Sequence, residues 1–83
     1  MYRIVLKKKA KKFIDALPTN ERRRVAAAID RFPAGEDIKQ LKGHPGLLRL
    51  RVGSYRIICS VDHGELVVYV IAAGNRGDIY GHL

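Results

Sequence analysis

Two arginines are expected to face each other across a tight hairpin in the second half of the chain. Residues 48–58 read Leu-Arg-Leu-Arg-Val-Gly-Ser-Tyr-Arg-Ile-Ile. Gly53-Ser54 is a favoured two-residue turn, with glycine at the first central position of type II′. This turn would place Arg51 opposite Arg56, where like charges destabilise a sheet. Arg49 shares their face by the two-residue period of a strand. Three guanidinium groups on one face predict a binding site for polyanionic phosphate.

A second group of candidate residues follows the last predicted strand. The segment 74–80 reads Gly-Asn-Arg-Gly-Asp-Ile-Tyr and turns through two glycines. It could place Arg76 and Tyr80 at the edge of the basic face. An arginine can hold a phosphate through two hydrogen bonds, and a tyrosine ring can stack on a base. Tyr80 could equally anchor the tail to the core.

The sequence offers little support for other site chemistries. His44, His63, His82 and Cys59 do not have the spacing of metal ligands, so we predict no metal site. Cys59 is predicted to point into the core as a small buried hydrophobic residue rather than a nucleophile. No glycine-rich loop leads into a helix with a following lysine, and we therefore predict no nucleotide or other small-molecule cofactor.

The charge of the chain indicates a polyanionic partner. Sixteen Lys and Arg against eight Asp and Glu give a net charge of +8 and a pI near 10.1, which favours nucleic acid or an acidic protein. Residues 1–42 hold 12 Lys and Arg against five acids, a balance of +7. The N-terminal lysines fit either a solvated helix face or a phosphate-tracking surface. A single cysteine, no membrane-length apolar run and no signal peptide together predict a cytoplasmic protein.

Hydrophobic periodicity predicts one α+β domain over residues 1–83, with no repeats. Helical spacing of apolar residues alternates with segments of strand-like period. We expect an N-terminal strand, an antiparallel two-helix hairpin packed on a mainly antiparallel sheet, and a C-terminal three-stranded meander. The predicted elements are a strand at 2–6, helices at 8–17 and 21–32, a connector at 36–46, and strands at 47–52, 55–62 and 65–73.

Strand parity divides the predicted meander into two faces. His63-Gly64 is taken as the two-residue loop between its second and third strands. The apolar face, expected under the helices, carries Leu48, Leu50, Val52, Tyr55, Ile57, Cys59, Val61, Leu66, Val68, Val70 and Ala72. The mixed, basic face is expected to be the working surface and carries Arg49, Arg51, Arg56, Ile58, Ser60, Val67, Tyr69, Ile71 and Ala73.

Two motifs resemble those of a known family. The run 41–58, LKGHPGLLRLRVGSYRII, resembles the LKG…LxRLRVGxYRVIY signature of the RelE/ParE toxin superfamily, and Gly74-Asn75-Arg76 with Tyr80 resembles its G-x-R-x-x-x-Y ending. The order of the predicted elements matches as well, so the resemblance covers essentially the whole chain. It implies a toxin of a type II toxin–antitoxin system. The RelE branch consists of endoribonucleases that cut mRNA in the ribosomal A site, and the ParE branch consists of DNA gyrase poisons.

The resemblance to RelE also implies roles for individual residues. Arg56 matches the arginine expected on the scissile phosphate, Arg76 the arginine after the last strand, and Tyr80 the tyrosine expected to stack on a base. The implied reaction is metal-independent attack of a ribose 2′-hydroxyl on the adjacent phosphate. The implied catalytic residues are Arg51, Arg56, Arg76 and Tyr80, and the implied RNA-binding residues are Arg49 and His82.

One departure from the RelE pattern concerns the general base. Arg49 and Arg51 occupy positions where that branch commonly has lysines, and arginine effectively cannot lose a proton. The ribosome could supply the base, catalysis could be mostly electrostatic, or His82 could act as acid or base.

The predicted partners are a cognate antitoxin, mRNA in the A site and ribosomal RNA, with no membrane. The alternatives are a ParE-like gyrase inhibitor and a non-catalytic basic binding module.

Overall fold

Two helices and five strands make up the part of the chain that the structure, a computed structural model, describes, namely residues 2–32 and 38–75. The predicted α+β class is confirmed. In chain order the elements are β1 (Arg3–Leu6), α1 (Lys8–Asp15), α2 (Thr19–Asp30), β2 (Ile38–Gln40), β3 (Leu48–Val52), β4 (Tyr55–Asp62) and β5 (Val67–Asn75).

The strands form one mixed sheet in the order β1-β5-β4-β3-β2. The pairs from β2 to β5 are antiparallel, and β3, β4 and β5 form the expected meander. β1 lies parallel to β5, with Ile4 opposite Val68. A parallel neighbour requires a crossover connection, and the helical hairpin lies in the chain between β1 and the meander.

The two helices are separated by Pro18, which cannot donate a backbone hydrogen bond. α1 ends at Asp15, two residues before the predicted end at Leu17, and the Ala16 N–H bonds to the Phe13 carbonyl in a tightened last turn. α2 begins at Thr19, two residues earlier than predicted, and its first hydrogen bond runs from Arg22 N to the Pro18 carbonyl at 2.9 Å.

Both helices pack on one face of the sheet, here called the helix face, and the main core lies between them. The opposite face is called the open face. The fully or nearly buried residues of the main core are Ala10, Ile14, Val25, Ala28, Ile29, Phe32, Leu50, Val52, Ile57, Cys59, Val68 and Val70. The sheet residues among these belong to the predicted apolar face.

A β-bulge in β5 changes the prediction for two alanines. Ile58 is opposite Ala72 but Cys59 is opposite Val70, so Ile71 is an extra residue. An extra residue reverses the side-chain alternation beyond it. Ala73 consequently packs in the main core, and Ala72 lies on the open face with Ile58. The predicted faces of Ala72 and Ala73 were therefore wrong.

The turn between β4 and β5 is longer than predicted. Asp62 pairs with Val67, which leaves a loop of residues 63–66 instead of the two-residue turn His63-Gly64. Leu66 lies in that loop with φ 57 and is 44% exposed, so its predicted place on the apolar face was wrong. The Asp62 side chain stabilises the loop by accepting a hydrogen bond from Glu65 N at 3.0 Å.

The predicted connector 36–46 contains an additional strand, β2, which pairs with β3. Three residues are too few for a hydrophobic period to reveal a strand. Gly43 and Gly46 have φ values of 81 and 84, which allow the chain to return antiparallel to β2. Within residues 2–32 and 38–75, no helix is long and apolar enough to cross a membrane.

Candidate functional site

The hairpin between β3 and β4 has the predicted register. Arg51 lies directly opposite Arg56. Gly53 has φ 58, and Ser54 does not have a positive φ. A type I′ turn needs positive φ at both central residues, whereas type II′ needs it only at the first. The turn is therefore type II′, and the prediction of two opposed arginines is confirmed.

Contacts on the helix face hold this hairpin against both helices. The Tyr55 ring packs edge-to-face on Phe13, with centroids 5.9 Å apart. A hydrogen bond from the Tyr55 hydroxyl to the Glu21 carboxylate, with a smaller contribution from desolvation, raises the pKa of Tyr55. Arg24 covers the turn, since a Cβ at Gly53 would lie 3.4 Å from Arg24 Nη2. The helices thus fix the position of the hairpin that carries the opposed arginines.

The three predicted arginines of the hairpin all belong to the open face. Arg51 is exposed, while Arg49 and Arg56 are half-buried. The Nε atom of Arg49 is buried, and Arg49 lies opposite Ile58 of β4. Arg49 and Arg51 each also interact with other groups of the protein. The structure brings the three positive charges to neighbouring positions at one end of the sheet.

Lys39 adds a fourth positive charge that the sequence did not predict. It is exposed on β2 and lies directly opposite Arg49. The sequence prediction missed it because β2 was taken as a connector. We call Lys39, Arg49, Arg51 and Arg56 the arginine cluster. Such a group of donors can hold phosphate oxygens and stabilise charge that develops on a phosphate.

An apolar patch borders the arginine cluster on the open face. Ile58 is fully buried beneath Leu41 and Leu47, with Ala72 beside them. The loop that carries the two leucines is held by hydrogen bonds, including Leu41 N to the Leu47 carbonyl at 2.9 Å. We call these four residues the apolar ridge. The open face is therefore mixed in composition, with an apolar patch beside the arginine cluster.

The remaining predicted site residues lie outside the described residues. β5 ends at Asn75, opposite Tyr55, so the last described residue is at the same end of the sheet as the arginine cluster. The roles predicted for Arg76, Tyr80 and His82 stay predictions.

Two other candidate side chains, Cys59 and His63, have contacts that indicate a structural role. Cys59 is buried, and desolvation raises the pKa of its thiol to about 12, so it is a poor nucleophile at neutral pH. The Nδ1 atom of His63 is hydrogen-bonded to the Tyr2 hydroxyl at 2.8 Å. Among the residues that the structure describes, no group of three His, Cys, Asp or Glu side chains could hold a metal ion.

The fold and the two sequence motifs together define a toxin of a type II toxin–antitoxin system. A family model described as the ParE toxin of the type II system parDE matches residues 4–80, nearly the whole chain. The chain belongs to this family, within the RelE/ParE superfamily. No curated protein sequence matches it.

Solved structures of RelE toxins have the same fold. RelE in the RelE–RelB complex from Pyrococcus horikoshii is 28% identical, covers 93% of this chain and 97% of its own, and has a TM-score of 0.76. The complex from Methanococcus jannaschii gives 25% identity, coverage of 95% and 98%, and a TM-score of 0.75. The intact Escherichia coli RelBE complex, at 22% identity, covers 90% and 96% with a TM-score of 0.78 and supports the fold alone.

Proposed function

We propose that this toxin is a ribosome-dependent endoribonuclease that cleaves mRNA in the A site. The observation that carries the proposal is the pair Arg51 and Arg56, directly opposed on the face that the helices leave open. Two guanidinium groups held at directly opposed positions can together bind a group with more than one negative charge, such as a phosphate in its transition state.

The proposed reaction needs no metal ion. The ribose 2′-oxygen attacks the adjacent phosphorus, its proton passes to a base, and the bond to the 5′-oxygen breaks as that oxygen gains a proton. The products are a 2′,3′-cyclic phosphate and a 5′-hydroxyl. Arg56 and Arg51 would stabilise the charge on the non-bridging oxygens, which is the role of preorganised donors. Because arginine stays protonated, Arg49, Arg51 and Arg56 supply electrostatic stabilisation and do not supply the base.

The test is translation of a defined mRNA with the purified toxin, followed by primer-extension mapping of the new 5′ ends. We expect cuts only on ribosome-bound message. Arg56→Ala should lower the cleavage rate on the order of 100-fold, as for loss of one oxyanion donor. Arg23→Ala is the matched control, because Arg23 is exposed on α2 and its loss removes the same charge from the helix side. Cleavage by Arg56→Ala within a few-fold of wild type would refute the assignment.

Inhibition of DNA gyrase is the second candidate, and the match to the ParE family model favours it. A gyrase poison does not require the opposed arginines as a reaction site. Accumulation of gyrase–DNA cleavage complexes, with no cutting of ribosome-bound mRNA, would support this candidate over the first.

We also propose that an acidic antitoxin is the cognate partner. The related P. horikoshii and M. jannaschii toxins were solved as complexes with RelB. The net charge of +8 favours a segment of opposite charge, and electrostatic steering would make the association fast. An antitoxin that covers the arginine cluster would block phosphate from reaching it.

A further inference from the structure

A tyrosine with neighbouring positive charges occupies the other end of the open face. Tyr69 of β5 is half-buried and lies opposite Ser60 of β4 and Val5 of β1. The Lys7 ammonium lies over the Tyr69 ring, with Nζ 5.4 Å from the centroid. Arg3, exposed two residues before Val5, has the same strand parity and therefore lies on the open face.

The backbone at this end is fixed. Lys7 N donates a hydrogen bond to the Val70 carbonyl at 2.9 Å, which anchors the base of the lysine side chain beside Tyr69. Arg3 N bonds to the Leu66 carbonyl at 2.8 Å. The nearby acid Asp62 is engaged in the β4–β5 loop through Glu65 N. The backbone that carries the Tyr69 ring and the two cations therefore has a defined position on the sheet.

This end is separate from the arginine cluster. Ser60 lies four residues after Arg56 along β4, and Tyr69 is one strand further. A strand rises about 3.3 Å per residue and neighbouring strands are about 4.8 Å apart, so the Cα atoms of Tyr69 and Arg56 are about 14 Å apart. The apolar ridge lies between them. About four stacked nucleotides of a single strand span that distance, or fewer if the strand is extended.

We propose that Tyr69, Lys7, Arg3 and Ser60 form a second subsite for the RNA strand whose scissile phosphate lies at the arginine cluster. The Lys7 side chain would move from the Tyr69 ring to a flanking phosphate, and the ring face that it leaves would stack on a base, because every base has a π-face. Lys7 and Arg3 would contact the flanking phosphates. The Ser60 hydroxyl, beside the ring, can hydrogen-bond the 2′-hydroxyl that distinguishes RNA from DNA. This subsite deepens the proposed endoribonuclease function and rests on it.

The experiment is a binding titration of the full chain with a short unstructured RNA that contains 2-aminopurine, whose fluorescence is quenched on stacking. Tyr69→Ala should weaken binding about fivefold to 100-fold and abolish the quenching. Tyr69→Phe keeps the ring face and should behave as wild type in both readouts. Lys7→Gln should reduce the slope of log K against log salt by about 0.7, as expected for one phosphate contact on a single strand. Lys12→Gln is the matched charge control, because Lys12 is exposed on α1, which covers the opposite face of the sheet, and it should leave the slope unchanged.

Three outcomes would refute the proposal that Tyr69 and its neighbours bind RNA. These are wild-type affinity in Tyr69→Ala, loss of quenching in Tyr69→Phe, and equal salt slopes for Lys7→Gln and Lys12→Gln. If Tyr69→Ala fails to fold, the Tyr69→Phe and Lys7→Gln results decide. Tighter binding of single-stranded DNA of the same sequence would overturn the assignment to RNA.

The same variants separate this subsite from the proposed function. Tyr69-dependent RNA binding without ribosome-dependent cleavage would retain the subsite and refute the endoribonuclease. Cleavage with unchanged binding in Tyr69→Ala would retain the endoribonuclease and refute the subsite.

Discussion

Replacing Gly53 with alanine tests whether the type II′ turn fixes the opposed arginines. Gly53 has φ 58, a conformation that glycine adopts freely and that is strained for any residue with a Cβ. Strain of this kind costs of order 1–3 kcal/mol. The new Cβ would lie 3.4 Å from Arg24 Nη2, the end of a flexible side chain that can move at little cost. The backbone term therefore dominates the expected loss of stability.

For a domain of this size, 1 kcal/mol shifts the Tm by about 4–8 °C. Because the strain costs about 1–3 kcal/mol, Gly53→Ala should lower the Tm by about 4–24 °C in thermal melts followed by circular dichroism. Ribosome-dependent cleavage should fall as well, because a turn that relaxes its φ moves Arg51 relative to Arg56.

Gly64→Ala is the matched control. A Cβ at Gly64 would also meet a side-chain end at 3.4 Å, Asp62 Oδ1, but Gly64 does not have a positive φ. Its expected change in stability is between zero and a small gain, since alanine reduces the freedom of the unfolded chain. Equal Tm values for the two variants would refute the argument that the φ of Gly53 sets the cost.

Two further predictions concern the core and the partner. Native protein should resist thiol-labelling reagents at Cys59 and react once it is denatured, and rapid labelling of the native protein at pH 8 would contradict the burial of the thiol. The pKa of about 12 in the folded protein lies above the ordinary thiol value of 9.0. The stability that the buried neutral thiol contributes is therefore present below pH 9 and is lost as the pH rises toward 12. The association rate with an acidic antitoxin should fall steeply with added salt, measured by stopped-flow mixing, and a salt-independent rate would exclude electrostatic steering.

The sequence alone was sufficient to predict the local parts of the site. The hairpin at Gly53-Ser54 has strong turn chemistry, so its register and the Arg51–Arg56 pair followed from the residues themselves. The helices could be placed within two residues, because their apolar spacing is regular and Pro18 separates them. The family motifs were also readable, and the match over residues 4–80 confirms them.

Only the tertiary structure decided which residues join the arginine cluster and how the open face is divided. β2 is stable as a strand because β3 is beside it, and without that partner Lys39 has no predictable position. The bulge at Ile71 depends on the pairing of β4 with β5, so no parity rule could place Ala72. The parallel pairing of β1 with β5 brings Lys7 over Tyr69, two residues far apart in the chain. Short-range turn chemistry is encoded within a few residues, whereas these features arise from contacts between distant segments, and those form only when the sheet is assembled.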